Sequence, residues 1–215
     1  ESVWLSYWAL MWGGLKRLIA PGGRIEATDL LDDFYGPLLE FLSRSHRVEI
    51  FPYNWRDSVL LAASKLADKL EACLPETERA GQPVHIIAHS MGGLVVRAMI
   101  GDGGRGSALW RRITALPKSR FMMLGTPNHG SYEAVRWLTG HNPTQAKLTL
   151  LDLKNDKREI INIVRRFPGL LELLPFGKED RDFSRPDLWQ DLKRQLAARW
   201  DTAEASVLNQ TKSTW

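Results

Sequence analysis

The feature that most constrains this chain is a β-branched apolar run that breaks into a tight glycine-bearing turn. Val84-His85-Ile86-Ile87-Ala88 reads as a buried parallel strand. His89-Ser90-Met91 follows without a spacer, and Gly92-Gly93 opens an apolar helical stretch that runs through Leu94 to Ile100. A strand that turns this sharply into a helix pushes the side chain at the turn above the sheet edge. The turn is strained, so small residues are expected two positions either side of Ser90, and Ala88 and Gly92 stand there. The geometry makes Ser90 the candidate nucleophile. It also puts the Met91 N–H at a helix N-terminus, where an oxyanion would be stabilised. The competing reading is a helix-capping serine in a glycine-rich turn.

The flanking segments predict an α/β domain. Thr28 to Ser43 reads as helical, restarted at Gly36-Pro37. Arg47 to Phe51 has a short strand pattern. Asp57 or Ser58 caps a helix with Val59, Ala62, Ala63, Leu66, Leu70 and Cys73 on its apolar face, and Pro75 is expected just beyond its end. Arg120-Phe121-Met122-Met123-Leu124 is the next strand. The order of strand, helix, strand, helix, strand implies a three-layer parallel sheet with helices on both faces. Gly101 to Gly106 follows a helix rather than a strand, so it reads as a flexible turn and not as a phosphate loop.

After Gly130 the strand signals stop. Glu159 to Phe167 and Asp187 to Trp200 read as helices, with Leu170, Leu171, Leu173 and Leu174 between them. Residues 131–176 are therefore a candidate helical cap or lid over a single domain spanning 1–215. Leu170, Leu171 and Leu173 are its candidate substrate-facing residues, and plain packing over the sheet is the alternative. Trp4, Trp8 and Trp12 recur at four-residue spacing, on one helical face. Core or a subunit contact is the ordinary reading of that stripe. The sharper one makes Trp4 part of a lid facing apolar substrate or a membrane surface.

Composition narrows the partners. The net charge is +4 with no dense basic run, which reads as a solvated surface, and no nucleic-acid partner is expected. The lone Cys73 cannot form an internal disulfide and reads as a small core residue. No stretch has the roughly 18 apolar residues that span a bilayer. The compartment stays open between cytoplasmic and membrane-peripheral. No metal-ligand cluster is read, so neither metal nor cofactor is expected.

Three motifs, in order, resemble one family. His85-Ile86-Ile87-Ala88-His89-Ser90-Met91-Gly92-Gly93-Leu94-Val95-Val96-Arg97 is similar to the nucleophile elbow of the lecithin–cholesterol acyltransferase-like and bacterial lipase branch of the α/β-hydrolases. Phe51-Pro52-Tyr53-Asn54-Trp55-Arg56 resembles its Tyr-Asp-Trp-Arg segment, with Asn54 where Asp is usual. Leu124-Gly125-Thr126-Pro127-Asn128-His129-Gly130-Ser131 resembles its Gly-Thr-Pro loop. Val3-Trp4-Leu5 resembles the segment after its oxyanion loop. The resemblance implies ester or lipid substrates, peripheral membrane contact, and either hydrolysis or acyl transfer through an acyl-enzyme.

The rest of a triad is not evident. In this fold the acid and then the histidine follow the serine, and no histidine follows His141. Asp102 or Glu133 with His129 or His141 is the route within this chain. The preferred expectation is a truncated domain whose acid and base lie beyond Trp215, with the chain starting at Glu1 just past the oxyanion loop. His89 reads as structural and His85 as buried and hydrogen-bonded. A non-catalytic, degenerate hydrolase module is the remaining alternative.

Overall fold

A computed structural model describes residues 27–143, 157–177, 182–196 and 208. Its elements are α1 (Asp32–Ser43), α2 (Val59–Arg79), β1 (His85–His89), α3 (Met91–Ile100), α4 (Arg105–Ala115), β2 (Arg120–Leu124), α5 (Tyr132–Thr139), α6 (Lys157–Val164), α7 (Pro168–Leu171) and α8 (Pro186–Gln195). The Trp4, Trp8 and Trp12 stripe lies outside the described residues.

β1 and β2 pair in parallel, from His85 opposite Arg120 to His89 opposite Leu124. Residues alternate across a strand, so Ile86, Ala88 and Phe121 share one face. That face packs into a cluster with Val59, Leu66 and Leu74 of α2, Val95, Val96 and Met99 of α3, and Leu109 and Ile113 of α4. The opposite face carries Ile87, Met122 and Leu124, which are 40%, 52% and 40% exposed. The expected covering of both faces is thus not seen: among the described residues the sheet has two strands and one packed face.

Arg47 to Phe51 does not join the sheet. Its side chains are held elsewhere. Arg47 Nη1 donates to Glu76 at 2.7 Å and Lys69 Nζ to Glu49 at 3.2 Å, both partners' bonds reaching α2. Phe51 stacks on Tyr53 and packs against the first cluster. These contacts fix the segment along α2 without ladder bonds to β1.

Proline positions correct two helix boundaries. α1 begins at Asp32 and runs unbroken through Pro37. The ring removes only the N–H that would reach the Asp33 carbonyl. Asp32 and Asp33 sit in the first turn, where carboxylates suit the helix dipole. α2 likewise runs past Pro75 to Arg79. Pro75 and Glu71, whose carbonyl loses its partner, both face solvent, so water can replace that bond. Ser58 starts α2 by accepting from Leu60 N–H.

The Gly101–Gly106 stretch is an ordered cap rather than a flexible turn. Asp102 accepts from the N–H groups of Gly104, Gly106 and Ser107 at 2.8, 2.8 and 2.9 Å. Ser107 Oγ donates to the Ile100 carbonyl at 2.6 Å. One carboxylate thus ends α3 and begins α4. Those backbone donors, Ser107 foremost, pull the Asp102 carboxyl down to about 2.

The helices after Gly130 build a second cluster. It contains Ala134, Leu138, Ile160, Ile161, Ile163, Val164, Phe167, Leu170, Leu171, Phe183 and Trp189. Trp55 and Leu173 pack against both clusters. Polar links reinforce that seam. Ser131 N–H donates to the Leu173 carbonyl at 2.7 Å, and Gly169 N–H to the Arg56 carbonyl at 3.2 Å.

Candidate active site

Ser90 stands between β1 and α3 with φ 52° and ψ −129°. A non-glycine residue there is strained, at a cost of about 1–3 kcal/mol, and such strain gathers at functional sites. The Ser90 N–H donates to the Leu124 carbonyl at 2.8 Å, which ties the turn to the end of β2. Its side chain is exposed and caps nothing; among the described residues its hydroxyl has no hydrogen-bond partner. Met91 and Gly92 are first-turn residues, so their N–H groups have no intrahelical acceptor. The arrangement offers a free hydroxyl beside unspent backbone donors at a ten-residue helix N-terminus.

The small residues around Ser90 have unequal roles. Ala88 is buried beneath the turn. A Cβ on Gly92 would meet only Ala88 Cβ and Tyr53 Oη, both at an ordinary 3.8 Å. A Cβ on Gly93 would lie 2.0 Å from Thr126 Oγ1 and 2.7 Å from Thr126 Cγ2. The closest steric demand therefore falls one residue later than the sequence suggests, on the helix face that meets the Gly-Thr-Pro loop.

That loop leaves β2 through Gly125, whose φ of 61° favours glycine. It then crosses α3. Asn128 accepts from Arg97 Nη1 at 2.7 Å. Gly130 is pressed against the Leu174 carbonyl and Pro175, which seats the far end of the loop on the cap segment. His129 stands beside the Phe176 ring, 6.4 Å between centroids.

The Phe51–Arg56 motif forms the floor between the clusters. Asn54 replaces the family's Asp yet still holds Arg56, accepting from its Nε at 2.8 Å. Arg56 also lies 5.8 Å from the Phe167 ring centroid. Burial lowers the Arg56 pKa from its ordinary value. Burial likewise pushes the Tyr53 phenol up to about 12.

The candidate cap residues are placed as follows. Leu170 and Leu171 are buried in the second cluster, and Leu173 is half-buried at the seam. Met91 reaches this segment: its Cε would lie 2.9 Å from a Cβ on Gly169. Glu172 is a buried carboxylate that accepts from Ser58 Oγ at 2.7 Å and Val59 N–H at 2.6 Å. A lone acid inside an apolar leucine run was the available sign of it.

Of the candidate acids and bases named from the sequence, Asp102, Glu133 and His141 are engaged elsewhere. Asp102 caps α4. Glu133 binds Arg136 and Asn142. His141 Nδ1 pairs with Thr139 Oγ1 at 3.2 Å. His89 is exposed, its Nδ1 2.7 Å from Tyr35 Oη on α1. The sequence held no sign of that partner, which lies 54 residues away. His85 is exposed rather than buried, with its ring edge-on to His46. Among the described residues β1 pairs only with β2, which leaves His85 uncovered.

A parallel strand turning through a strained serine into a helix, with a loop from the next strand braced on that helix, is the arrangement expected of an α/β-hydrolase-like protein. The family model for lecithin:cholesterol acyltransferase matches residues 41–214, and the chain belongs to that family of lipid acyltransferases. No curated protein and no solved structure gave a match.

Proposed function

We propose that the chain is a lipase- or esterase-like serine hydrolase acting on lipid or other carboxylic esters through an acyl-enzyme at Ser90. The observation that carries this reading is the strained Ser90 backbone, φ 52° and ψ −129°, at the junction of β1 and α3. Ser90 Oγ attacks the ester carbonyl once a base takes its proton. The Met91 N–H holds the developing oxyanion. A donor of that kind contributes about 3–4 kcal/mol to the transition state. The alkoxide leaves with a proton, and water then releases the acid. On this reading lipid ester is met at a membrane surface; among the described residues no helix is long and apolar enough to cross one.

Acyl transfer to an alcohol is the second reading, favoured by the family match. The two share every step to the acyl-enzyme and differ in what reaches it. A fluorophosphonate probe should label the intact protein at Ser90. Undiminished labelling of Ser90→Ala would reject the nucleophile. Product analysis with and without an alcohol acceptor separates the readings: ester formation supports transfer, and acid alone with every acceptor supports hydrolysis.

A further inference from the structure

Three contacts join one side of α3 to the chain leaving β2. Ser90 N–H donates to the Leu124 carbonyl at 2.8 Å. The Thr126 side chain fills the notch at Gly93, so close that an added Cβ would meet its Oγ1, Cγ2 and Cβ at 2.0, 2.7 and 2.9 Å. Arg97 Nη1 donates to Asn128 Oδ1 at 2.7 Å. Positions 90, 93 and 97 recur at the three-to-four spacing of one helical face. Positions 124, 126 and 128 advance by two along a segment that leaves a strand. The two periods run in step over the first two turns of α3, and the middle contact has no hydrogen bond at all.

Thr126 is unusual within this set. Its Oγ1 is buried and, among the described residues, has no hydrogen-bond partner. A buried hydroxyl left unbonded opposes folding, so shape is what the residue contributes here. Gly93 in turn donates its N–H to the Ser90 carbonyl at 3.1 Å. Pressure on Gly93 therefore bears directly on the strained serine.

We propose that Thr126 is a positioning residue for Ser90: by its shape it clamps Gly93 and holds the strained turn that presents the nucleophile. This rests on the reading of Ser90 as nucleophile only for its effect on reactivity. The clamp on the backbone stands apart from it. Trimming Thr126 frees the first turn of α3 to relax while the helix core stays packed. Valine, which keeps the branched shape and drops the hydroxyl, holds the turn as threonine does.

The test is amide hydrogen exchange with fluorophosphonate labelling, on the intact protein and its Thr126→Ala and Thr126→Val variants. In Thr126→Ala the Ser90 and Gly93 amides should exchange roughly tenfold faster, while the Val95 and Val96 amides hold. Labelling should slow by about tenfold or more, since small displacements at a reacting group cost that much. Thr126→Val should restore both. Unchanged exchange at Ser90 and Gly93 in Thr126→Ala overturns the proposal, and so does a valine variant as impaired as alanine. If Thr126→Ala does not fold, Thr126→Ser, which drops the methyl and keeps the hydroxyl, tests the same contact. Faster exchange at the same two amides supports the clamp, and no change overturns it. Wild-type protein that shows the exchange pattern but takes no probe leaves the clamp standing and removes the nucleophile.

Discussion

Glu172 accepts a 2.6 Å hydrogen bond from the Val59 amide, across 113 residues of chain. The carboxylate thereby satisfies the first turn of α2, where the helix dipole favours negative charge. It takes the Ser58 hydroxyl at 2.7 Å as well. A residue just past α7 thus begins a helix of the other cluster.

Removing that carboxylate leaves buried donors without an acceptor. Glu172→Ala should cost about 1–3 kcal/mol, read as a lower denaturant midpoint. Glu172→Gln keeps one acceptor oxygen and should lose less. An alanine variant as stable as wild type would show that the contact does not matter.

Strain at Ser90 makes a second expectation. Glycine adopts positive φ freely, so Ser90→Gly should be more stable than Ser90→Ala by about 1–3 kcal/mol. Both should be unreactive towards fluorophosphonate. Equal thermal midpoints for the two would argue that the turn is relaxed.

The neighbouring glycines should respond differently. Gly93→Ala drives a methyl into Thr126 and should cost about 1–3 kcal/mol, as overpacking does. Gly92→Ala meets ordinary contacts at 3.8 Å and should fold with near wild-type stability. Urea unfolding of the pair distinguishes them, and a reversed order would refute the assignment of the tight contact.

Asp102 gives a pH dependence. Its carboxyl is lowered from 3.8 to about 2 by the amides it accepts from. A carboxylate depressed on folding contributes stability at pH above the unfolded value, and loses it as pH falls through the folded one. The stability gap between wild type and Asp102→Asn should be full above about pH 4 and shrink between pH 4 and 2. Thermal midpoints across that range follow it. A gap that stays constant down to pH 2 would mean that the charge on Asp102 is not what caps α4.

What the sequence made legible is local. β1, the turn at Ser90, α3 and β2 follow from short apolar runs and adjacent glycines. The apolar face of α2 was also readable, though Leu70 and Cys73 are only half-buried. Proline misled at 37 and 75 because each sits where one lost backbone bond is tolerated. The strand pattern at Arg47–Phe51 misled because side chains bound to α2 outweigh its β-propensity. Contacts such as Glu172 with Val59, or Tyr35 with His89, join residues too distant for periodicity to register. The family resemblance was legible from three motifs, whereas the steric fit of Gly93 to Thr126 exists only in three dimensions.

Trp55 and Leu173 are the side chains that pack against both clusters. Two clusters joined through a few shared side chains and hydrogen bonds can open with free energies of their own. If the second cluster melts first, Gly169 parts from Met91 while the first still holds. On the proposed reading of Ser90, the Met91 donor would then fail together with the second cluster. In calorimetry the van't Hoff enthalpy should fall below the calorimetric enthalpy, and reactivity should be lost with the earlier transition.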